Sequence, residues 1–343
     1  MTYSHYADIG QQSLDDFYLS KDPIQRYNNA YPITDLHQND TFNYWWIAHL
    51  VDVRLDAYLR TKDAKYLELA EQTYDYNKTR NHGTLLHVYY DDMLWNALAA
   101  LRLFQITGKA GYLDDAKMVC DDIFRTAWND NMGGGFAWTR MQLDYKNTPA
   151  NAPVMILALR LYQIEPDPKY LEMSKRDLEW MRRVLVNPDT LFVEDGINRN
   201  KDGQIDTQWQ FTYNQGVYIG ALLEFYHVTG EQTYLDQATK CAHTSLDVLV
   251  KNGVFADAGD GGDIGLFKGI LYRYMTLLIK ETDDETLTAF TRSSCDILIA
   301  HGMTADGKLL PPRDWNDAEP TLPLDLSDEI GAVMSLEAAA ALE

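Results

Sequence analysis

One short segment recurs along this chain and limits what it can fold into. Lys65-Tyr66-Leu67-Glu68-Leu69-Ala70, Gly111-Tyr112-Leu113-Asp114-Asp115-Ala116, Lys169-Tyr170-Leu171-Glu172-Met173-Ser174 and Thr233-Tyr234-Leu235-Asp236-Gln237-Ala238 share a Tyr-Leu-acid core. Glu285-Thr286-Leu287-Thr288-Ala289-Phe290 is a degenerate fifth copy. Each continues with apolar residues at helical spacing and charges between them, the pattern of a helix with one wet face. Each also follows a short turn, such as Thr107-Gly108-Lys109 or Thr229-Gly230-Glu231. Before each turn runs a more uniformly apolar helix, over 42–60, 91–106, 151–164, 214–228 and 267–280. Residues 328–342 supply a sixth apolar helix and 6–19 a sixth amphipathic one. A helix apolar on every side is buried on most of them. Twelve helices alternating between buried and half-exposed predict an all-α fold of six hairpins, the (α/α)6 toroid or six-hairpin barrel, in a single domain over residues 1–343. The copies begin at 65, 111, 169, 233 and 285, too irregularly for a solenoid. No strand–helix alternation and no glycine-rich fingerprint point to a dinucleotide fold.

Charge narrows the partners. A formal net charge of −21 argues against nucleic acid, which needs a basic footprint, and against anionic membrane surfaces. Its plain reading is acidic solubility. The three cysteines, Cys120, Cys241 and Cys295, have no zinc spacing and imply no disulfide framework. Each falls in an outer helix and is expected there as a small buried hydrophobe. The first residues lack a basic segment followed by an apolar one, and no run approaches a membrane span, so a soluble cytoplasmic protein is expected.

In a ring of hairpins the inner helices all run the same way, so the segments leading into them meet on one face. Those lead-ins are chemically distinctive. They include Asn43-Tyr44-Trp45-Trp46, Tyr89-Tyr90-Asp91-Asp92-Met93-Leu94-Trp95-Asn96, Gly133-Gly134-Gly135-Phe136-Ala137-Trp138, Trp209-Gln210-Phe211-Thr212-Tyr213-Asn214-Gln215-Gly216 and Asp263-Ile264-Gly265-Leu266-Phe267-Lys268-Gly269. Eight Trp and 22 Tyr leave flat faces for ligands. Aromatics mixed with amides, hydroxyls and carboxylates suit a sugar, whose ring has apolar faces and directional hydroxyls.

Five Asp-Asp pairs occur, at 15–16, 91–92, 114–115, 121–122 and 283–284. Four lie on or beside outer helices, where caps and solvated faces account for them. Asp91 and Asp92 open an apolar inner helix and are hemmed in by Tyr89, Tyr90 and Trp95. An acid pair in a crowded place is either satisfied as a cap or functional. Both readings stand on the residues alone. Glycoside hydrolysis needs one protonated and one ionised carboxyl. Two neighbouring carboxylates divide protons in that way, and a helix N-terminus favours the ionised member. Adjacent helix positions fix no carboxyl separation, so spacing does not choose between retention and inversion.

The surrounding candidates are substrate-contacting. Trp138, Trp209 and Tyr213 are the stacking candidates, with Thr212 and Asn214 beside them. Tyr90, Trp95 and His87 line the pocket, Lys268 reaches it from the fifth inner helix, and Asp195 and Asp206 sit at its rim. Trp45 and Trp46 are core residues, one of them available for stacking, and Arg273 pairs inside the ring. Asn198-Arg199-Asn200-Lys201-Asp202-Gly203-Gln204-Ile205-Asp206 matches the first nine positions of a calcium loop, but its twelfth position is Trp209 rather than Glu. A turn centred on Asp202-Gly203 is the expected reading. No metal and no cofactor are expected.

Tyr89-Tyr90-Asp91-Asp92-Met93-Leu94-Trp95 resembles the Tyr-Asp-Asp signature of glycoside hydrolase family 76, the endo-α-1,6-mannanases. Gly133-Gly134-Gly135-Phe136-Ala137-Trp138, Thr212-Tyr213-Asn214-Gln215-Gly216 and Phe267-Lys268-Gly269-Ile270-Leu271-Tyr272-Arg273 follow in the family's order, over about residues 40 to 340. The resemblance implies an (α/α)6 fold, an oligosaccharide or polysaccharide α-mannoside as substrate, and a retaining double displacement. It implies Asp91 as nucleophile and Asp92 as acid/base. Phe136-Ala137-Trp138 is less aromatic than is usual after the glycine triplet. Two other classes remain as alternatives: another toroid sugar enzyme, an epimerase or unsaturated-uronide hydrolase, and a glycan-binding protein without turnover.

Overall fold

Inner and outer helices alternate along the chain as the repeats predict. The computed structural model describes residues 1–22 and 25–343. Among these, the outer helices are α1 (Tyr3–Tyr18), α3 (Ala64–Arg80), α5 (Ala110–Thr126), α7 (Pro168–Val184), α9 (Gln232–Leu249) and α11 (Glu285–Gly302). The inner helices are α2 (Tyr44–Thr61), α4 (Tyr90–Thr107), α6 (Thr148–Ile164), α8 (Thr212–Thr229), α10 (Ile264–Thr282) and α12 (Leu326–Ala340). None is long and apolar enough to cross a membrane. Four of the inner-to-outer turns end the inner helix on a left-handed residue: Lys62, Gly108, Gly230 and Asp283. That conformation closes the last turn by sending one backbone N–H back to a helix carbonyl.

The chain forms two compact units, residues 1–80 with 249–343, and residues 81–248. In the first, α12 packs on α1, α2 and α10, and every residue from Leu326 to Ala340 is buried. Such enclosure needs close backbone approach. A Cβ on Gly331 would stand 2.2 Å from the carbonyl oxygen of Gly265 on α10, so only glycine fits. Arg273 on α10 pairs with Asp52 of α2 at 2.9 Å, the inner-helix pairing expected for it. Short strand pairs β1 (Ala30–Tyr31) with β7 (Leu324–Asp325), and β5 (Val250–Lys251) with β6 (Val254–Phe255), tie its loops.

In the second unit α4 packs on α5 and α6, and α6 on α7 and α8. The three cysteines are fully buried, as expected. The sequence did not announce a three-stranded antiparallel sheet, β2 (Ala137–Thr139), β3 (Gln142–Asn147) and β4 (Gly196–Ile197), in what reads as a connecting stretch. Its entry is set by backbone geometry. Gly135 has φ +83°, and a Cβ there would lie 2.7 Å from the Trp180 ring. Asn151 of α6 clamps the next residue from both sides. It accepts the Phe136 N–H at 2.7 Å and donates to the Phe136 carbonyl at 2.9 Å. Lys146 is fully buried and donates to the Gly135 carbonyl at 2.8 Å; burial brings its pKa down to about 8.

Glu224 of α8 joins α8 to α6 through Arg160 at 2.6 Å and Gln163 at 3.0 Å. Burial alone would raise its pKa. The Arg160 charge and the hydrogen bonds from His227, Arg160 and Gln163 outweigh that and bring it down to about 2 from 4.5. A depressed carboxylate stabilises the fold above its unfolded pKa, and that contribution is lost as pH falls through the folded one. Glu224→Gln is therefore expected to cost about 3 kcal/mol at pH 7, with the gap to wild type closing as pH drops from 4.5 toward 2. Urea unfolding across that range measures it; a gap independent of pH excludes the ion pair as its source.

Candidate active site

The first turn of α4 carries Asp91 and Asp92, and both are partly accessible. The residue before it, Tyr89, caps the helix with no side-chain hydrogen bond. Asp91 fills that role from inside the helix, where its Oδ1 accepts the backbone N–H of Asp92 at 3.0 Å. Its Oδ2 accepts the indole N–H of Trp138 at 2.9 Å. Two N–H donors and the positive end of a helix all favour the ionised carboxylate. Asp92 is held differently. Its Oδ2 lies 3.3 Å from Nδ1 of His87, and its backbone carbonyl accepts from Asn96 at 2.9 Å.

Trp138 reaches Asp91 because β2 is bound to the α4 lead-in. Tyr89 bridges to Thr139, and the Arg140 backbone N–H donates to the Val88 carbonyl at 3.0 Å. The Arg140 side chain fastens the same junction. Its Nε donates to the His87 carbonyl at 3.0 Å, and its guanidinium lies over the Tyr90 ring and pairs with Asp122 of α5. Asp122 is thus a buried partner and not part of a solvated outer face, correcting the reading of its Asp-Asp pair. Trp138 itself is wedged between Tyr89, 4.9 Å between ring centres, and the edge of Tyr145 at 5.5 Å.

Behind Trp138 lies Asp195. It is 1% exposed, so it is not at a rim, and neither is Asp206 at 4%. Its Oδ1 accepts from Tyr213 and Asn214, both at 3.1 Å. Its Oδ2 accepts from Arg199 at 3.1 Å and from Tyr145 at 3.3 Å. Burial raises its pKa, while the hydrogen bond of Asn214, the Arg199 charge and the Tyr213 hydroxyl pull the other way. Arg199 spreads over Trp209, 3.6 Å from the ring centre, and also faces Tyr145. One face of Trp209 is therefore covered. The loop at 198–206 folds on its own backbone: Asn198 Oδ1 accepts from Gly203 N–H and Asp202 Oδ1 from Gln204 N–H. This is the expected turn, with Asn198 at φ +74° and Gly203 at φ +71°.

The structure thus brings His87, Asp91, Asp92 and Trp138 together within one unit, and Asp195, Tyr213, Asn214 and Trp209 behind them. Tyr90, Trp95 and Thr212 are buried, at 1%, 4% and 0% exposure. Lys268 belongs to the other unit, where its Nζ donates to the Arg313 carbonyl at 3.0 Å and lies over Trp315. Trp46 there is buried, and both it and Trp45 donate their indole N–H to Asp263 Oδ1. The sequence does not single out Arg140, Tyr145 or Arg199 as site residues. An isolated cation or tyrosine in a loop carries no sequence signal until strand pairing brings it to the site.

Comparison with known proteins gives the family and the fold. The model for glycosyl hydrolase family 76 matches residues 7–319. The crystal structure of the Lin0763 protein from Listeria innocua is 54% identical, with a TM-score of 0.97 over 100% of this chain and 98% of that one. The GH76A α-1,6-mannanase of Salegentibacter sp. HEL1_6 is 35% identical, with a TM-score of 0.90 over 99% of this chain and 100% of its own. An inactive variant of that enzyme, with two consecutive aspartates changed to asparagine, was solved in complex with α-1,6-mannotriose. The mannan endo-1,6-α-mannosidase DFG5 of Saccharomyces cerevisiae is 26% identical over 77% of this chain. The aligned region covers 62% of that relative's length. The fold class is the all-α (α/α)6 toroid that the repeats predict.

Removing the Asp195 carboxylate leaves Arg199, Tyr145, Tyr213 and Asn214 without their shared acceptor. Asp195→Ala is expected to cost about 3 kcal/mol in urea unfolding, because the buried donors of Tyr145, Tyr213 and Asn214 lose their acceptor while Arg199 keeps Asp206. A loss under about 0.5 kcal/mol would show that the cluster does not hold this side of the site together.

Proposed function

The chain belongs to glycosyl hydrolase family 76, and we propose that it hydrolyses α-1,6-linked mannosides by a retaining double displacement, as one catalytic domain, with Asp91 as nucleophile and Asp92 as acid/base. The observation that carries the assignment is the unequal treatment of two adjacent carboxyls. Asp91 is fixed between the Trp138 indole and a first-turn N–H, while Asp92 faces an imidazole. An ionised, immobile carboxylate suits attack, and a carboxyl beside a weak base suits proton transfer.

In the first step an Asp91 oxygen attacks the anomeric carbon and the bond to the leaving oxygen breaks, with Asp92 giving that oxygen its proton. In the second, Asp92 takes a proton from water, the water oxygen attacks the anomeric carbon, and the bond to Asp91 breaks. Trp138 anchors Asp91 against movement and leaves part of its indole accessible for a pyranose face. The substrate class is supported by the α-1,6-mannotriose complex of the Salegentibacter enzyme, and the use of two adjacent aspartates by the inactivity of its two-aspartate variant. Among the five Asp-Asp pairs of this chain, 91–92 is the one that opens an inner helix.

Asp91→Asn and Asp92→Asn should each lower kcat on α-1,6-mannotetraose by about a thousandfold or more. Full activity in both would sink the proposal. Azide should rescue Asp92→Ala to give the α-mannosyl azide and Asp91→Ala to give the β-anomer, and the reverse pattern exchanges the roles. Trp138→Phe keeps the ring and loses the N–H. It is expected to lower kcat about ten- to a hundredfold with little change in KM, measured in steady-state assays.

A further inference from the structure

The side chain of His87 has no step in the mechanism above, yet it stands at Asp92. Its Nδ1 lies 3.3 Å from Asp92 Oδ2. The same nitrogen accepts the backbone N–H of Tyr89 at 3.4 Å. A ring nitrogen has a single in-plane direction, occupied by either a lone pair or a hydrogen. Because a backbone N–H can only donate, the lone pair is the one that faces it. A lone pair set against a carboxylate oxygen repels it, so the contact with Oδ2 is attractive only when a proton lies between the two atoms. Nδ1 therefore accepts from Tyr89 and from a protonated Asp92, and the ring's own hydrogen sits on Nε2.

We propose that His87 is a positioning residue that holds the acid proton on Asp92 Oδ2 until a glycosidic oxygen arrives to take it. The inference rests on reading Asp92 as the acid/base. The contact is long for an O–H···N bond, so the proton is retained weakly and its release to a better-placed acceptor costs little. After release, Asp92 is a carboxylate facing a lone pair, an arrangement that favours its taking a proton back from the attacking water. The surroundings keep the imidazole neutral: it is partly buried, which lowers its pKa. Other charged or titratable groups converge from several elements. Asp91 lies on α4 and Tyr89 on its lead-in. Arg140, from the turn after β2, donates to the His87 carbonyl and is matched by Asp122 of α5. Tyr213 of α8 lies within the field of Asp91. Arg140 is thus turned to an acid of its own.

An acceptor for the carboxyl proton favours the protonated form, so its removal should make Asp92 lose that proton at lower pH. His87→Leu removes the acceptor, while His87→Gln keeps a side-chain oxygen that can accept. In His87→Leu the alkaline limb of kcat/KM on α-1,6-mannotetraose should move down by up to about one pH unit, with the acidic plateau little changed. His87→Gln should restore most of the shift. With a dinitrophenyl α-1,6-mannobioside, whose leaving group departs without protonation, glycosylation should be insensitive to His87→Leu. Equal loss at every pH and with both leaving groups, in a variant of native circular dichroism, means a merely structural role and overturns the proposal. An alkaline limb that disappears in Asp92→Asn but is unmoved by His87→Leu overturns it while leaving the acid/base assignment standing. Full activity in Asp92→Asn instead brings down the assignment itself.

Discussion

A buried helix has to satisfy the N–H groups of its first turn from outside its own ladder. In α4 the residue ahead of the helix offers no side-chain cap, and Asp91 accepts the Asp92 N–H instead. That bond turns an otherwise mobile carboxylate into a fixed one and leaves its second oxygen aimed at Trp138. Capping and catalysis are consequently not competing explanations of the pair. The hydrogen bond that closes the helix end also presents the nucleophile proposed above, and the helix dipole favours the charge that both roles require.

The rest of the second unit is organised around that end. The β2–β3 hairpin pairs with the segment leading into α4, so Trp138 and Arg140 both arrive at it: one on Asp91, the other on the His87 carbonyl and Asp122. The hairpin is pinned at its entry by Gly135 and Asn151. Asp195 backs it, with four donors from β3, the loop before α8, and α8 itself. Asn151, Tyr145, Asp195, Tyr213 and Asn214 are buried, which is how a partly open site keeps its geometry.

Much of this was legible beforehand, for reasons that differ by residue. The alternation of helices could be read because burial on one side or on all sides leaves different periodicities, and α8, enclosed from Thr212 to Phe225, is the extreme case. Asp91 and Asp92 could be placed because they open an apolar helix. Asp195 reads from the sequence as a rim residue, since an acidic residue in a loop is ordinarily exposed. Four donors brought from elsewhere allow it to be buried. Arg140 and Arg199 were invisible because nothing local distinguishes them.

Periodicity and apolar continuity are properties of a single segment. For that reason the order of amino acids alone settles twelve helices in alternation, the fold class, and the pair of carboxyls at the head of α4. What each carboxyl meets was left to tertiary packing. Trp138 lies far along the chain from Asp91 and comes to it through strand pairing, and His87 turns back onto Asp92 through a bend in the lead-in. The difference between two chemically identical aspartates comes from those partners, and hydrogen bonds between distant segments leave no period in a sequence.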